Sequence, residues 1–274
     1  MQTRPLDQYL ETDGARLRYR DEGRGHPVLL VHGWTLDLDM WGAQAAALSD
    51  SFRMVRLDRR GFGLSTGHPS IAGDAADLRA LCEHLGLDSV ALVGMSQGAR
   101  AVLRFAASFR EVTTCIVLDG PPRIGTQNGG TGSLDVPYAY YRELVRARGL
   151  AAFRDEWSGH ALTRLRTGDA ETHALLSRMI ARYPGTDLTD IARPDAAASG
   201  PNVESMGRPT LVINGEFDLE SRKGYAEELA LQFRTVDRVE IPGAGHLCNL
   251  DNPRAYNDAL RRFLEKFAAP STGH

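Results

Sequence analysis

The sequence is poor in cysteine and has no long apolar run, and each shortage excludes a class of protein. Its three cysteines, Cys82, Cys115 and Cys248, are widely spaced and form no CxxC pair. That pattern indicates reduced thiols rather than a disulfide framework or a zinc site, and we expect no metal and no cofactor. The start, MQTRPLDQYLETDG, lacks the apolar region of a secretory signal, and no stretch approaches the roughly 18 apolar residues of a membrane span. We therefore expect a cytoplasmic protein without a membrane partner.

Charge of one sign is not in excess either. The 274 residues contain 32 Lys and Arg against 35 Asp and Glu, which gives a formal net charge of −3 at pH 7. No block of Lys and Arg of the kind that follows a phosphate backbone is present, so nucleic acid is not an expected partner. The composition, 42% hydrophobic and 24% charged, is that of an ordinary globular protein with a packed core.

Strands and helices alternate over most of the chain. The predicted strands are short apolar runs that stop at Gly, Asp or His, and the predicted helices have apolar residues at helical spacing. The strands lie at 17–19, 28–32, 52–58, 89–94, 113–120, 209–215 and 236–243, and the helices at about 41–48, 70–86, 97–108, 225–231 and 253–267. This order predicts an α/β fold with a mostly parallel central sheet and helices on both faces.

The alternation stops between residues 122 and 207. This part begins with the Gly-, Thr- and Ser-rich stretch IGTQNGGTGS and continues with helical, arginine-rich segments and no convincing strand. We interpret residues 122–207 as an inserted helical cap and residues 1–121 and 208–274 as one core domain divided around it. The number of subunits cannot be read from the sequence.

A serine motif lies at the centre of the core. Gly94-Met95-Ser96-Gln97-Gly98 fits G-x-S-x-G and falls between a predicted strand and a predicted helix, as the motif requires. A sharp strand-to-helix turn needs small flanking residues, and the helix N-terminus favours developing negative charge. Ser96 is therefore the candidate nucleophile.

A serine hydroxyl needs a base to remove its proton, and a third group must orient that base. Of the eight histidines, His246 follows the last predicted strand in IPGAGH and so falls at the same sheet edge as Ser96. The third group should be an acid after the strand PTLVING. Asp218 fits best, with Glu216 and Glu220 as competitors, and Asp119 at the end of the strand TTCIVLD is the alternative acid.

Acyl transfer also needs two hydrogen-bond donors for the oxyanion of the tetrahedral intermediate. We predict that these donors are the backbone amides of Gln97, after the nucleophile, and of Trp34, after the first buried strand. The side chains of Trp34, Met95 and Trp157 are the candidate lining of the substrate pocket.

Five motifs in chain order, HGW, DRRGFGLS, GMSQG, GEFD and GAGH, resemble those of the α/β-hydrolase superfamily. Within it, GEFDLESR and IPGAGHLCNLDNP are similar to segments of small bacterial esterases and of 3-oxoadipate enol-lactonase-like hydrolases. The resemblance implies a serine hydrolase that cleaves a small carboxylic ester or lactone through an acyl-enzyme. It also implies a catalytic triad of Ser96, His246 and Asp218.

Other functions are compatible with the same scaffold. A carbon–carbon bond hydrolase, a cofactor-free oxygenase and a perhydrolase use the same triad, and a non-catalytic receptor could hold a small ligand beneath the cap. Arginines and aromatic residues of the cap could bind an acidic or aromatic substrate, although a solvated surface explains them better. These residues are Tyr138, Tyr140, Tyr141, Arg142, Arg146, Arg148 and Trp157.

Overall fold

The computed structural model describes residues 6–124, 135–189 and 206–268 of the chain. Its strands form one eight-stranded sheet in the order β1-β2-β4-β3-β5-β6-β7-β8. The strands are β1 (Gln8–Thr12), β2 (Ala15–Gly23), β3 (His26–Val31), β4 (Phe52–Leu57), β5 (Val90–Met95), β6 (Thr113–Asp119), β7 (Thr210–Gly215) and β8 (Val236–Ile241). From β4 to β8 every neighbouring pair is parallel, which confirms the predicted α/β fold with a mostly parallel central sheet.

The sheet begins with an antiparallel edge that the sequence analysis did not predict. β1 pairs antiparallel with β2, and β2 pairs antiparallel with β4. The turn between β1 and β2 consists of Asp13 and Gly14, and Gly14 has a φ of 74°. Asp-Gly between two extended segments is a strong hairpin signal, so the sequence does contain the information for this strand.

The α-helices pack on both faces of the sheet. They are α1 (Gly42–Leu48), α2 (Ile71–Leu85), α3 (Gln97–Ser108), α4 (Tyr138–Ser158), α5 (Ala170–Arg182), α6 (Thr186–Thr189), α7 (Glu220–Ala230), α8 (Cys248–Asp251) and α9 (Pro253–Phe267). The ends of α2 follow from local chemistry: the Ser70 side chain accepts a hydrogen bond from the Gly73 amide, and Gly86 closes the helix with a φ of 64°.

The described residues between β6 and β7 contain helices and the loops that join them, and no strand. Helix α4 changes direction at Gly149, where φ is 80° and ψ is 169°, and α5 and α6 follow it. The boundaries proposed for the cap, 122 and 207, adjoin stretches 125–134 and 190–205, which lie outside the described residues. The division into core and cap stays a prediction.

Two apolar clusters cover the two faces of the sheet, because successive side chains of a strand point to opposite faces. In β3, Val28 and Leu30 belong to one cluster, whereas Leu29 and Val31 belong to the other. The first cluster extends into α4, α5 and α6, so these helices share a core with the sheet. None of the helices in the described part of the chain is long and apolar enough to cross a membrane.

Candidate active site

Ser96 lies in a strained turn between β5 and α3. Its φ of 50° and ψ of −117° place it in a region that non-glycine residues rarely adopt. A Cβ at Gly94 would lie 2.6 Å from the Gly98 carbonyl oxygen, and a Cβ at Gly98 would lie 2.5 Å from the Val31 carbonyl oxygen. Both positions therefore require glycine, as the motif predicts. The strain holds the Ser96 side chain at the carboxyl end of the parallel strands.

His246 and Asp218 form a buried pair at the same edge. Nδ1 of His246 lies 2.9 Å from Oδ1 of Asp218. An ionised carboxylate can only accept a hydrogen bond, so Nδ1 carries a proton, and in the neutral ring Nε2 presents its lone pair. The Asn214 side-chain amide and the Leu219 backbone amide also donate to this carboxylate, at 3.0 and 2.8 Å. Burial alone would raise the pKa of Asp218, but His246 and these donors hold it below 3.8.

The loops that carry these two residues are joined by backbone hydrogen bonds. The Phe217 amide donates to the Ala244 carbonyl at 2.8 Å, and the Glu216 amide donates to the Ile241 carbonyl at 3.0 Å. At Gly120, after β6, a Cβ would lie 2.7 Å from Cε1 of His246. The imidazole therefore packs directly against the Gly120 backbone, which fixes the position of the ring.

Ser96 and His246 line one cavity but form no hydrogen bond to each other. Within the described residues, Nε2 of His246 has no hydrogen-bond partner, so no bond to the Ser96 hydroxyl is formed. Catalytic hydrogen bonds are often long before a substrate binds and shorten in the complex. The structure thus brings the three residues of the predicted triad to one edge of the sheet, with the His246–Asp218 contact formed and the Ser96 contact open.

Asp119, the alternative acid, is buried at the end of β6 and has other hydrogen-bond partners. Its Oδ1 accepts a hydrogen bond from the Cys248 thiol at 3.2 Å, and it makes no hydrogen bond to His246. Burial raises the pKa of Asp119 to about 7. The geometry favours Asp218 as the partner of His246. The competitors Glu216 and Glu220 point elsewhere: Glu216 accepts from the Gly243 amide, and Glu220 lies at the start of α7.

The backbone amides of Trp34 and Gln97 are free for an oxyanion. In residues 6–124, 135–189 and 206–268, neither amide donates a hydrogen bond to a protein acceptor. His32 positions the loop that contains Trp34. Its Nδ1 donates to the Gly33 carbonyl at 2.7 Å, and its Nε2 accepts from the Arg59 amide at 2.9 Å. Burial lowers the pKa of His32 to about 3, so the ring is neutral and its two roles are fixed.

Arg59 also contacts the turn that contains Gln97. Its side chain donates to Oε1 of Gln97 at 2.8 Å and is itself anchored on the buried carboxylate of Asp74. The sequence analysis did not select Arg59, although it stands in the motif DRRGFGLS after a buried strand. One loop thereby positions both candidate oxyanion donors.

The cavity in front of Ser96 has a volume of about 550 Å³, including its open mouth. Trp34, Met95 and Trp157, the predicted pocket residues, all line it, together with Tyr138 of α4. Of the other aromatic and arginine residues named in the cap, Tyr141 is buried in the core, whereas Tyr140, Arg146 and Arg148 are exposed. Arg146 and Arg148 of α4 thus face solvent as expected, whereas Arg142 of the same helix is half-buried.

Side chains of the sheet loops bind the helices between β6 and β7. Nε1 of Trp34 donates to Oδ2 of Asp187 at 2.7 Å, and Nε1 of Trp157 donates to the Thr35 hydroxyl at 2.7 Å. The Tyr183 hydroxyl donates to the other oxygen of Asp187. Trp34 thus carries a candidate oxyanion amide on its backbone and fixes α6 with its indole.

Comparisons with known proteins identify the family of the chain. Residues 26–253 match a family described as the alpha/beta hydrolase fold. The chain is similar to a non-heme haloperoxidase of Rhodococcus erythropolis, with 28% identity over 93% of this chain and 97% of that protein.

Two solved structures are similar to this one over nearly the full length of the chain. A thermophilic esterase from Thermogutta terrifontis, with malate bound, has a TM-score of 0.80 and 30% identity over 96% of this chain and 99% of its own. The enol-lactonase from Burkholderia xenovorans LB400 has a TM-score of 0.77 and 25% identity over 94% and 100%.

Proposed function

The chain belongs to the alpha/beta hydrolase family, and from that premise we propose that it cleaves a small carboxylic ester or lactone through an acyl-enzyme on Ser96. The observation that carries this proposal is the buried His246–Asp218 pair, whose imidazole lines one cavity with a serine held in a strained turn. We further propose that residues 122–207 act as the cap that closes this cavity. The esterase and the enol-lactonase among the similar structures support this class of substrate.

The proposed reaction begins with attack of the Ser96 oxygen on the substrate carbonyl. Nε2 of His246 takes the hydroxyl proton, and the Asp218 carboxylate stabilises the resulting imidazolium. The carbonyl oxygen becomes an oxyanion that accepts hydrogen bonds from the amides of Trp34 and Gln97. When the carbon–oxygen bond breaks, His246 gives its proton to the leaving alkoxide. The acyl group then remains on Ser96, and in a lactone the alcohol stays attached to it.

Water completes the cycle. His246 removes a proton from a water molecule that attacks the acyl carbon, and the bond to Ser96 breaks as the serine oxygen regains the proton. No step requires a metal or cofactor, because His246 transfers the protons and the backbone amides stabilise the oxyanion. Preorganised amides do not have to reorient as charge develops, which is why they lower the barrier.

Covalent labelling tests the proposal directly. Wild-type protein should react with a serine-directed fluorophosphonate and release a burst of nitrophenol from a simple aryl ester, because both depend on an activated Ser96. Ser96→Ala should lose the label and at least about 1,000-fold in kcat. Ser108→Ala, at the exposed end of the same helix α3, should behave as wild type. An unlabelled wild type would refute the proposal.

Perhydrolysis is a second candidate, and the haloperoxidase relative over 93% of the chain favours it. Here hydrogen peroxide replaces water, so the acyl-enzyme releases a peracid and Ser96 recovers its proton through His246. Adding peroxide to the aryl ester assay should then yield peracid in proportion to nitrophenol. Nitrophenol with carboxylic acid alone, at millimolar peroxide, would restrict the protein to hydrolysis.

A further inference from the structure

Two guanidinium groups line the same cavity as Ser96 and His246. Arg100 projects from α3, and Arg222 projects from α7. No side chain that lines this cavity in the described part of the chain is acidic. Arg100 follows Ser96 by one helical turn, which places its backbone about 6 Å further along the helix axis. The cavity wall therefore carries two arginines, one of them on the same helix that begins after the nucleophile.

The charge of Arg222 is balanced by the protein. Its Nε lies 2.8 Å from Oδ2 of Asp135, and both groups are buried. Its Nη1 donates to the Gly120 carbonyl at 3.4 Å, beside the imidazole of His246. Arg222 consequently contributes to the shape of the site and to its local potential, while Asp135 neutralises most of its charge.

Arg100 differs from Arg222 because no carboxylate neutralises it. Its Nη2 donates to the backbone carbonyl of Arg123 at 3.1 Å, and no Asp or Glu of residues 6–124, 135–189 and 206–268 lies within ion-pair distance. Burial lowers the pKa of Arg100, although Tyr138 opposes this, and the cations Arg222 and Arg59 lower it further. An unpaired cation on a half-buried side chain is less favourable than one in water until an anion binds to it.

We propose that Arg100 binds a carboxylate of the substrate, and that the substrate is accordingly an ester or lactone with an anionic group a few bonds from the reacting carbonyl. This inference rests on the proposed hydrolysis, since it assigns the substrate class of the same cavity. A guanidinium offers up to five N–H donors in a planar fork that matches a carboxylate, and within the described ranges one donor of Arg100 is bonded, to the Arg123 carbonyl. A bound carboxylate would use donors that face the cavity.

A matched pair of substrates tests the charge preference. Mono-(4-nitrophenyl) glutarate carries a carboxylate on its acyl chain, and 4-nitrophenyl pentanoate is a neutral ester of similar length. The ratio of their kcat/KM values should favour the glutarate in wild type. In Arg100→Gln this ratio should fall by about ten- to a hundredfold, the range expected for a lost hydrogen bond to a charged group. Arg100→Lys, which keeps the charge but loses the fork, should fall in between.

Arg104→Gln is the matched control. Arg104 lies one turn further along α3 and does not line the cavity, so its loss removes the same charge from the molecule without removing a proposed ligand. The control should keep the wild-type ratio. An equal fall in both variants would mean a general effect of net charge, and a ratio unchanged in Arg100→Gln would overturn the proposal.

Binding without turnover separates this inference from the proposed reaction. Monomethyl glutarate can be titrated calorimetrically into Ser96→Ala and into the double variants Ser96→Ala/Arg100→Gln and Ser96→Ala/Arg104→Gln. We expect saturable binding that weakens at least tenfold only when Arg100 is replaced. No binding to Ser96→Ala, or equal affinity in all three, would overturn the subsite. Absence of fluorophosphonate labelling in wild type would overturn the reaction and leave this binding result standing.

Discussion

The buried residue His32 shows how one side chain can serve a site without entering it. Its ring connects the Gly33 carbonyl to the Arg59 amide, so it couples the loop after β3 to the loop after β4. Because its pKa is lowered to about 3, it keeps the neutral form that both hydrogen bonds require. We therefore assign His32 a positioning role for the Trp34 amide.

The pH dependence of stability follows from that pKa. The folded pKa of about 3 lies below the unfolded value of 6.5, so the unfolded chain binds a proton first as pH falls. The contribution of His32 is complete above pH 6.5 and is lost as pH falls toward 3. His32→Asn should destabilise the protein by about 1–3 kcal/mol at pH 7, because the buried Arg59 amide loses its acceptor.

Urea unfolding of wild type and His32→Asn at two pH values measures this contribution. The difference in unfolding free energy between the two proteins should narrow by about 2 kcal/mol from pH 7 to pH 5. A difference that stays constant would show that His32 does not titrate between its unfolded and folded values as described.

At the scale of secondary structure, two helical glycines give opposite predictions. A Cβ at Gly98 in α3 would meet the carbonyl oxygens of Val31 and His32 at 2.5 and 2.6 Å, whereas a Cβ at Gly224 in α7 would meet nothing within 4 Å. Gly98→Ala should lower the free energy of unfolding by about 3 kcal/mol and displace Ser96, because backbone atoms must move. Gly224→Ala should stabilise the protein by about 0.5–1 kcal/mol, since alanine favours helix.

Urea denaturation and fluorophosphonate labelling of both variants measure these effects. Gly98→Ala should unfold at lower urea and label more slowly, and Gly224→Ala should unfold at higher urea and label at the wild-type rate. Equal tolerance of the two changes would contradict the close packing of α3 on β3.

The contact between α6 and the loop after β3 is also an element-scale feature. Asp187 accepts hydrogen bonds from both Trp34 and Tyr183. In Asp187→Asn one of the two acceptor oxygens is replaced by an NH2 group, which can only donate. Either the Trp34 indole or the Tyr183 hydroxyl therefore loses its acceptor. We expect about 1–3 kcal/mol lower stability and a reduced kcat, because the Trp34 backbone loses a support.

The exposed Asp155 of α4 provides the control for this change. Asp155→Asn should alter the unfolding free energy by no more than about 0.5 kcal/mol and leave kcat unchanged. If Asp187→Asn gave the same small change, the contact with Trp34 would have no energetic role.

At the scale of the whole molecule, the sheet and the helices between β6 and β7 should unfold together. One apolar cluster includes Trp41 beside the sheet and Phe153 and Trp157 of α4. Arg182 of α5 adds an ion pair to the buried Asp37 at 2.7 Å. Near-ultraviolet and far-ultraviolet circular dichroism should therefore follow one urea transition. Earlier loss of the near-ultraviolet signal would indicate that the helices detach first.

The sequence alone determined the order of strands and helices and the positions of Ser96, Asp218 and His246 after their strands. These features depend on local patterns: apolar runs, helix caps and glycines at sharp turns. The ends of α3 and α9 agree with the sequence prediction for the same reason. The Asp-Gly turn after β1 is an equally local signal. The sequence analysis did not predict β1 because its five residues, QYLET, show no clear alternation of polar and apolar side chains.

Only the tertiary structure decided which side chains meet. The sequence left Asp119 and Asp218 as alternative acids, and the fold placed Asp218 against His246 because the loops after β7 and β8 are joined by backbone hydrogen bonds. It likewise put Arg100 of α3 in the cavity and left Arg146 and Arg148 of α4 in solvent. The direction of a side chain depends on the packing of elements distant in the chain, and no local pattern carries that information.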